Sequence, residues 1–222
     1  MRSEYANIPP VGAKTWMLVY ADGSAREVLQ RRPPLDRDAT AAFVGTLFPD
    51  EKLTPLDDGD LSFTCPPDNE ICAGCFDGVS VIAASEFGGD YPSKLPPRFI
   101  AARRGTLTLH AMHSVVDWFA YAQWADGTLV RSLSLSPDSG ILEDIGPRQP
   151  FEEPYWSGRH PAVDDDEKDS YPFPFHPLDL GEAALAALFG YTIEGPIDPT
   201  LLAPETVPLA RYKRSRSRWK FW

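Results

Sequence analysis

Between residues 106 and 136 the chain alternates apolar and polar side chains with a period of two. Leu107, Leu109 and Ala111 interleave with Thr106, Thr108 and His110. Trp118, Ala120, Ala122 and Trp124 interleave with Asp117, Phe119, Tyr121 and Gln123, and Leu129, Leu133 and Leu135 follow among Ser132, Ser134 and Ser136. Such a period belongs to strands, whose side chains point to opposite faces in turn. Asp126-Gly127 is a type I′ hairpin signal between the second and third runs. With Ala125 facing Thr128, the register predicts Trp124 opposite Leu129, Ala120 opposite Leu133 and Arg131 opposite Ala122. That face is expected in the core. The other face, with Tyr121, Phe119 and Asp117 opposite serines, calls for a helix lid or a ligand.

Elsewhere the pattern is interrupted by 23 prolines, each of which removes a backbone donor and fixes φ. The run Ala13-Lys14-Thr15-Trp16-Met17-Leu18-Val19-Tyr20 reads as a buried strand. A short helix is predicted over 25–31. A second covers 36–48, with Phe43, Val44, Leu47 and Phe48 on one face and Asp36 or Asp38 as the cap. A third covers 98–104 behind Pro97. A fourth opens at Asp179, with Glu182 as its capping-box partner, and stops at Gly190. Residues 137–208 hold twelve prolines and are expected to be mostly irregular. The order of elements predicts an α+β fold: a largely antiparallel sheet, three to four packed helices and a proline-rich outer wrap. The expected boundaries are one domain over 11–195 and a linker with a basic aromatic tail over 196–222.

Charge narrows the partners. The formal net charge is −11, from 32 acidic and 21 basic residues. Six of the basic residues, Arg211, Lys213, Arg214, Arg216, Arg218 and Lys220, crowd the last twelve positions beside Trp219, Phe221 and Trp222. Subtracting that +6 from the total leaves −17 for residues 1–210. An acidic body opposes nucleic acid and anionic membranes at long range. The tail is therefore expected to be a mobile arm that docks on its own acidic body or on a protein partner, in preference to nucleic acid or a membrane. Its binding residues would be Arg211, Lys213, Arg214, Arg216, Arg218, Trp219, Lys220 and Trp222. No stretch reaches the roughly 18 apolar residues of a membrane helix, so a cytoplasmic setting with reduced thiols is expected.

The candidate chemistry is sparse. Cys65, Cys72 and Cys75 are spaced C-x6-C-x2-C, one knuckle short of a four-ligand zinc site. Pro66-Pro67-Asp68-Asn69 precedes the pair where a redox motif needs a strand and then a helix. Neither a metal nor a cofactor is expected, since no phosphate-cradling or dinucleotide fingerprint occurs. A tight turn at His113-Ser114 would set His110, Asp117 and Ser136 in a row across three strands. The acid would then lie in the middle, the wrong order for a nucleophilic triad.

The stretches GAKTWMLVYADG (12–23), HAMHSVVDWFAYAQWADGTLVRSLSLSPDSGILEDIG (110–146), PFEEPYWSGRHP (150–161) and PFPFHPLDLGEAALAALFGYTIEG (172–195) resemble an uncharacterised family of intracellular proteins from high-GC Gram-positive bacteria. That resemblance implies a bacterial cytoplasmic setting and supplies no activity, substrate or catalytic residue. The reading is of a non-catalytic binding or interaction protein of the bacterial cytoplasm. The alternative is a hydrolase-like enzyme using His110, Asp117, Arg131 and Ser136.

Overall fold

The computed structural model describes residues 12–163, 171–195 and 198–216. Its strands are β1 (Lys14–Ala21), β2 (Glu51–Pro55), β3 (Gly59–Asp60), β4 (Glu70–Phe76), β5 (Val79–Ala83), β6 (Thr106–His113), β7 (Trp118–Ala125), β8 (Thr128–Ser136), β9 (Gly140–Ile145) and β10 (Pro208–Arg216). Its helices are α1 (Ala25–Gln30), α2 (Arg37–Leu47), α3 (Pro97–Ile100), α4 (Glu153–Trp156) and α5 (Pro177–Phe189). The sheet runs β2-β10-β4-β5-β1-β6-β7-β8-β9, with β3 beside β10. Every strand pairing in it is antiparallel.

The α+β expectation is thereby corrected. The described residues are sheet-dominated, and only α2 and α5 exceed two turns. Two causes are visible. The helix expected over 98–104 is the single turn α3. The proline-rich stretch and the basic tail contribute strands β9 and β10. In β10, Pro208 is tolerated because it is the first residue of the strand.

Helix ends follow local chemistry. The Asp36 carboxylate caps α2 by accepting from the Ala39 N–H at 2.9 Å. The cap of α5 is His176 rather than Asp179: His176 Nδ1 accepts from the Leu178 N–H, with Pro177 in the first turn. Gly190, at φ 82°, ends that helix. Glu182 spans the end of the helix instead of closing a capping box, accepting from the backbone N–H groups of Ile193 and Glu194.

The hairpin β7–β8 forms at Asp126-Gly127 with Ala125 opposite Thr128 and Trp124 opposite Leu129. A bulge between Gln123 and Trp124 then shifts the register, so that Gln123 faces Arg131, Tyr121 faces Leu133 and Ala120 faces Ser134. One extra residue in a strand sends everything beyond it to the other face. Arg131, Leu133 and Leu135 therefore share a face with Tyr121 and Phe119, and the serines lie behind Trp118, Ala120 and Ala122.

Both faces are covered. On one, α1 and α5 pack Leu29, Leu180, Ala184, Leu185 and Phe189 against Met17, Val19, Val81, Phe119 and Tyr121. On the other, α2 and α3 pack Phe43, Val44, Leu47 and Phe99 against Leu18, Tyr20, Ile82, Leu109 and Trp118. The lid called for over the Tyr121 face is α5.

Residues 208–216 are an interior strand, so the mobile arm expected from residue 211 is corrected too. Tyr212 pairs with Pro55 on one side and Ile71 on the other. The arm was expected because like charges repel. Within the sheet, neighbouring carboxylates relieve that repulsion: Arg211 Nη2 donates to Glu70 Oε2 at 2.7 Å, and Arg214 makes ion pairs with Glu86 and Glu51.

Candidate functional site

The four catalytic candidates are not assembled into a site. The turn between β6 and β7 spans residues 114–117, so His110 faces Tyr121 rather than Asp117. His110 is fully buried. Its Nε2–H donates to the Gly181 carbonyl at 3.0 Å, and the Thr15 hydroxyl donates to Nδ1 at 2.7 Å. Burial holds its pKa down at about 4, so the ring is neutral and ties β6 to α5. Asp117 sits in the turn at φ 47°, 3.6 Å from His176 Nε2. Ser136 lies on the opposite sheet face from His110 and accepts from the Ser139 N–H in the next turn.

Arg131 belongs to a different constellation. It and Glu152 are both fully buried. Arg131 Nε and Nη2 donate to the two Glu152 oxygens at 2.9 and 2.6 Å, and Nη1 donates to Asp144 and to the carbonyls of Ile145 and Gly146. Glu152 also accepts from the Tyr121 hydroxyl, the Gln149 N–H at 2.7 Å and Trp156 Nε1. Burial alone would lower the guanidinium pKa, but the hydrogen bonds to Glu152 and Asp144 raise it above its usual range. With so many donors and acceptors satisfied internally, the cluster is a clamp that pins α4 and its flanking loop to β7 and β8.

Cys72 and Cys75 lie on β4 rather than in a loop. Three positions apart, they point to opposite faces, into separate core clusters. Burial pushes the Cys72 thiol up to about 12. Among the described residues no group of three or more His, Cys, Asp or Glu is placed to hold a metal ion.

Of the proposed binding residues, Arg211 and Arg214 are engaged in the ion pairs above. Lys213 is exposed, and Arg216 ends β10 opposite Glu51. Arg218, Trp219, Lys220 and Trp222 lie outside the described residues.

An open trough lies where β1 and β4 begin and β5 and β10 end. The loop before β4 is laid across the start of β1 by a bridge between Thr15 and Thr64, with the Trp16 N–H donating to the Thr64 carbonyl at 2.8 Å. This leaves a concavity of about 520 Å³ lined by Lys14, Trp16, Phe63, Cys65, Pro66 and Pro67. It adjoins a second, of about 430 Å³, through Asp68 and Ser85, which line both. The result is one open trough. Phe63 is 40% exposed on its floor. The Trp16 ring stacks on His113 at 5.5 Å. Gly88 lets the chain pass close over that ring, since a Cβ there would stand 3.0 Å from it. Beyond Asp68 the wall is Glu51, Glu86 and Arg214.

Further hollows lie along α5, beside α3 and around residues 198–205. The groove along α5 carries Asp179, Glu182, Glu194 and Asp198. Of these, Glu182, Glu194 and Asp198 already accept backbone N–H groups from Ile193, Ala13 and Thr200. The hollow beside α3 is walled by Arg103, which lies over Phe43 and donates to Cys75 Sγ.

Sequence reasoning missed the trough because its parts are far apart in the chain. Trp16 read as part of a buried strand, Pro66-Pro67 as the stretch before the cysteine pair and His113 as part of a tight turn. A large aromatic residue such as Phe63 in a polar loop next to paired prolines was the available signal.

Neither the curated proteins nor the solved structures include a match to this chain. A family profile does match, over residues 15–212, from the second residue of β1 into β10. The match spans both halves of the sheet, and on that evidence the chain belongs to DUF6928, a family of unknown function.

Proposed function

We propose that the chain is a non-catalytic binding protein of the bacterial cytoplasm that captures a short extended protein segment in the trough between Trp16 and Arg214. The observation that carries this reading is the exposed Phe63 and Pro67 beside the half-buried Trp16 in one concavity, which opens through Asp68 and Ser85 onto a second, charged one. Rigid rings and prolines present apolar surface at small entropic cost, which is how extended peptides are commonly held. Asp68, Glu51 and Glu86 on the far wall favour a segment that also carries cations. No helix among the described residues is long and apolar enough to cross a membrane.

The test is a displayed library of short peptides selected on the full-length protein. Selected peptides should combine aromatic with basic residues, and Phe63→Asp should weaken them at least tenfold. Peptides indifferent to Phe63→Asp would refute the assignment of the trough.

A further inference from the structure

We propose that residues 217–222, Ser-Arg-Trp-Lys-Phe-Trp, fold back into this trough and occupy it until a competing segment displaces them. The inference rests on the binding reading above and names the first occupant of the same site. Position is the first argument. β10 runs toward the trough: the Arg214 N–H donates to the Asn69 carbonyl at 2.8 Å, and Arg214 Nε donates to the Asp68 carbonyl at 2.9 Å. The last described residue, Arg216, is two positions beyond this contact with the loop that forms the trough wall.

Reach is the second argument. Six extended residues span up to about 20 Å. Crossing from β10 over β4 and β5 to β1 is three strand spacings, about 14 Å. The segment is long enough to lie along the whole floor.

Chemistry is the third. In an extended segment Trp219 and Phe221 face one way, and Arg218 and Lys220 the other. The first pair matches Trp16, Phe63 and the exposed Pro67. The second is drawn to a wall where Asp68, Glu51 and Glu86 exceed Arg214 and Lys14 by one charge. A tether this short gives an effective concentration of the order of millimolar, so even weak contacts keep the trough filled.

The trough contains its own reporter, the half-buried thiol of Cys65, while Cys72 and Cys75 are buried. In full-length Lys220→Cys under mild oxidation, an intramolecular disulfide to Cys65 should form at least tenfold faster than in full-length Glu205→Cys. It should vanish in Lys220→Cys with Cys65→Ser. In parallel, a labelled peptide of residues 217–222 is titrated into the wild type and into a full-length chain with Trp219→Ser, Phe221→Ser and Trp222→Ser. The substituted chain should bind the peptide at least tenfold more tightly, and Phe63→Asp should abolish the gain. Equal, Phe63-dependent binding to both chains would overturn self-occupancy and leave the trough a binding site. No Phe63-dependent binding to either chain, with no preferential disulfide, would overturn both.

Discussion

Removing the Glu152 side chain tests the clamp reading of Arg131 against its earlier standing as a catalytic candidate. In Glu152→Ala the guanidinium, fully buried, keeps only Asp144 and backbone carbonyls. Removing one partner of a buried pair in this way costs about 3–5 kcal/mol, because the buried guanidinium is left with only the part-exposed Asp144 carboxylate to offset its charge. The Tyr121 hydroxyl, on a fully buried residue, loses its acceptor as well, adding roughly 1–3 kcal/mol. The sum is about 4–8 kcal/mol, which in a chain of this size lowers Tm by roughly 10 °C or more. Asp144 offers an internal control: it pairs with the same guanidinium but is 36% exposed. Asp144→Asn should cost clearly less than Glu152→Ala, because its carboxylate is partly solvated and the bidentate pair with Glu152 stays in place. Replacing both buried partners, as Arg131→Met with Glu152→Leu, should recover at least half the loss, since no charge is stranded. Urea unfolding and thermal melts monitored by tryptophan fluorescence report all three variants. If Glu152→Ala melts within 3 °C of the wild type, or the double variant is no better than Glu152→Ala, the clamp argument fails.

Acidification should act on the buried His110 and the half-buried Glu182 with opposite sign. His110 titrates near 4 in the fold and near 6.5 in the unfolded chain. Its contribution is therefore present above 6.5 and lost as pH falls toward 4. Glu182 is raised from 4.5 to about 7, chiefly by burial, so its contribution is present below 4.5 and lost as pH rises toward 7. Glu182→Gln should therefore lose stability more steeply than the wild type between pH 6.5 and 4.5 in urea titrations; equal slopes would contradict this. Gly146→Ala should destabilise by at least about 2 kcal/mol in the same assay, since φ is 79° and the new Cβ would lie 2.1 Å from the Val130 carbonyl oxygen. Trp118→Ala should cost about 3–5 kcal/mol, because the ring is buried and its Nε1–H donates to Ser134; an unchanged midpoint would remove Trp118 from the core.

The local signals in the sequence were readable where one strand face and one turn decide the outcome. The period-two runs of 106–136, the Asp126-Gly127 turn and the Asp36 cap all reflect neighbours a few residues apart. The bulge at Gln123 left no such mark. It moved Arg131 to the face where Glu152 waits, a partner outside the hairpin. The same holds for β10, whose charged side chains look unsuited to a sheet interior until Glu70, Glu86 and Glu51 are beside them. Likewise, the trough exists only once the loop before β4 crosses β1. Contacts between distant segments decide each of these, and periodicity carries no record of them.

The position of β10 between β2 and β4 has a kinetic consequence. Arg211 meets Glu70 across 141 positions of sequence. The strand made last among those described is thus the one that joins β2 to the rest of the sheet. Pairings of such long range pay their loop-closure cost before any contact repays it, and they slow folding. During synthesis, β4 would wait with an open edge and β2 with no neighbour, both exposed to other chains. A nascent or proteolytically clipped chain ending before residue 208 would hold that vulnerable state indefinitely. Chains truncated before residue 208 should therefore aggregate more readily than the full-length protein, a difference that light scattering would register.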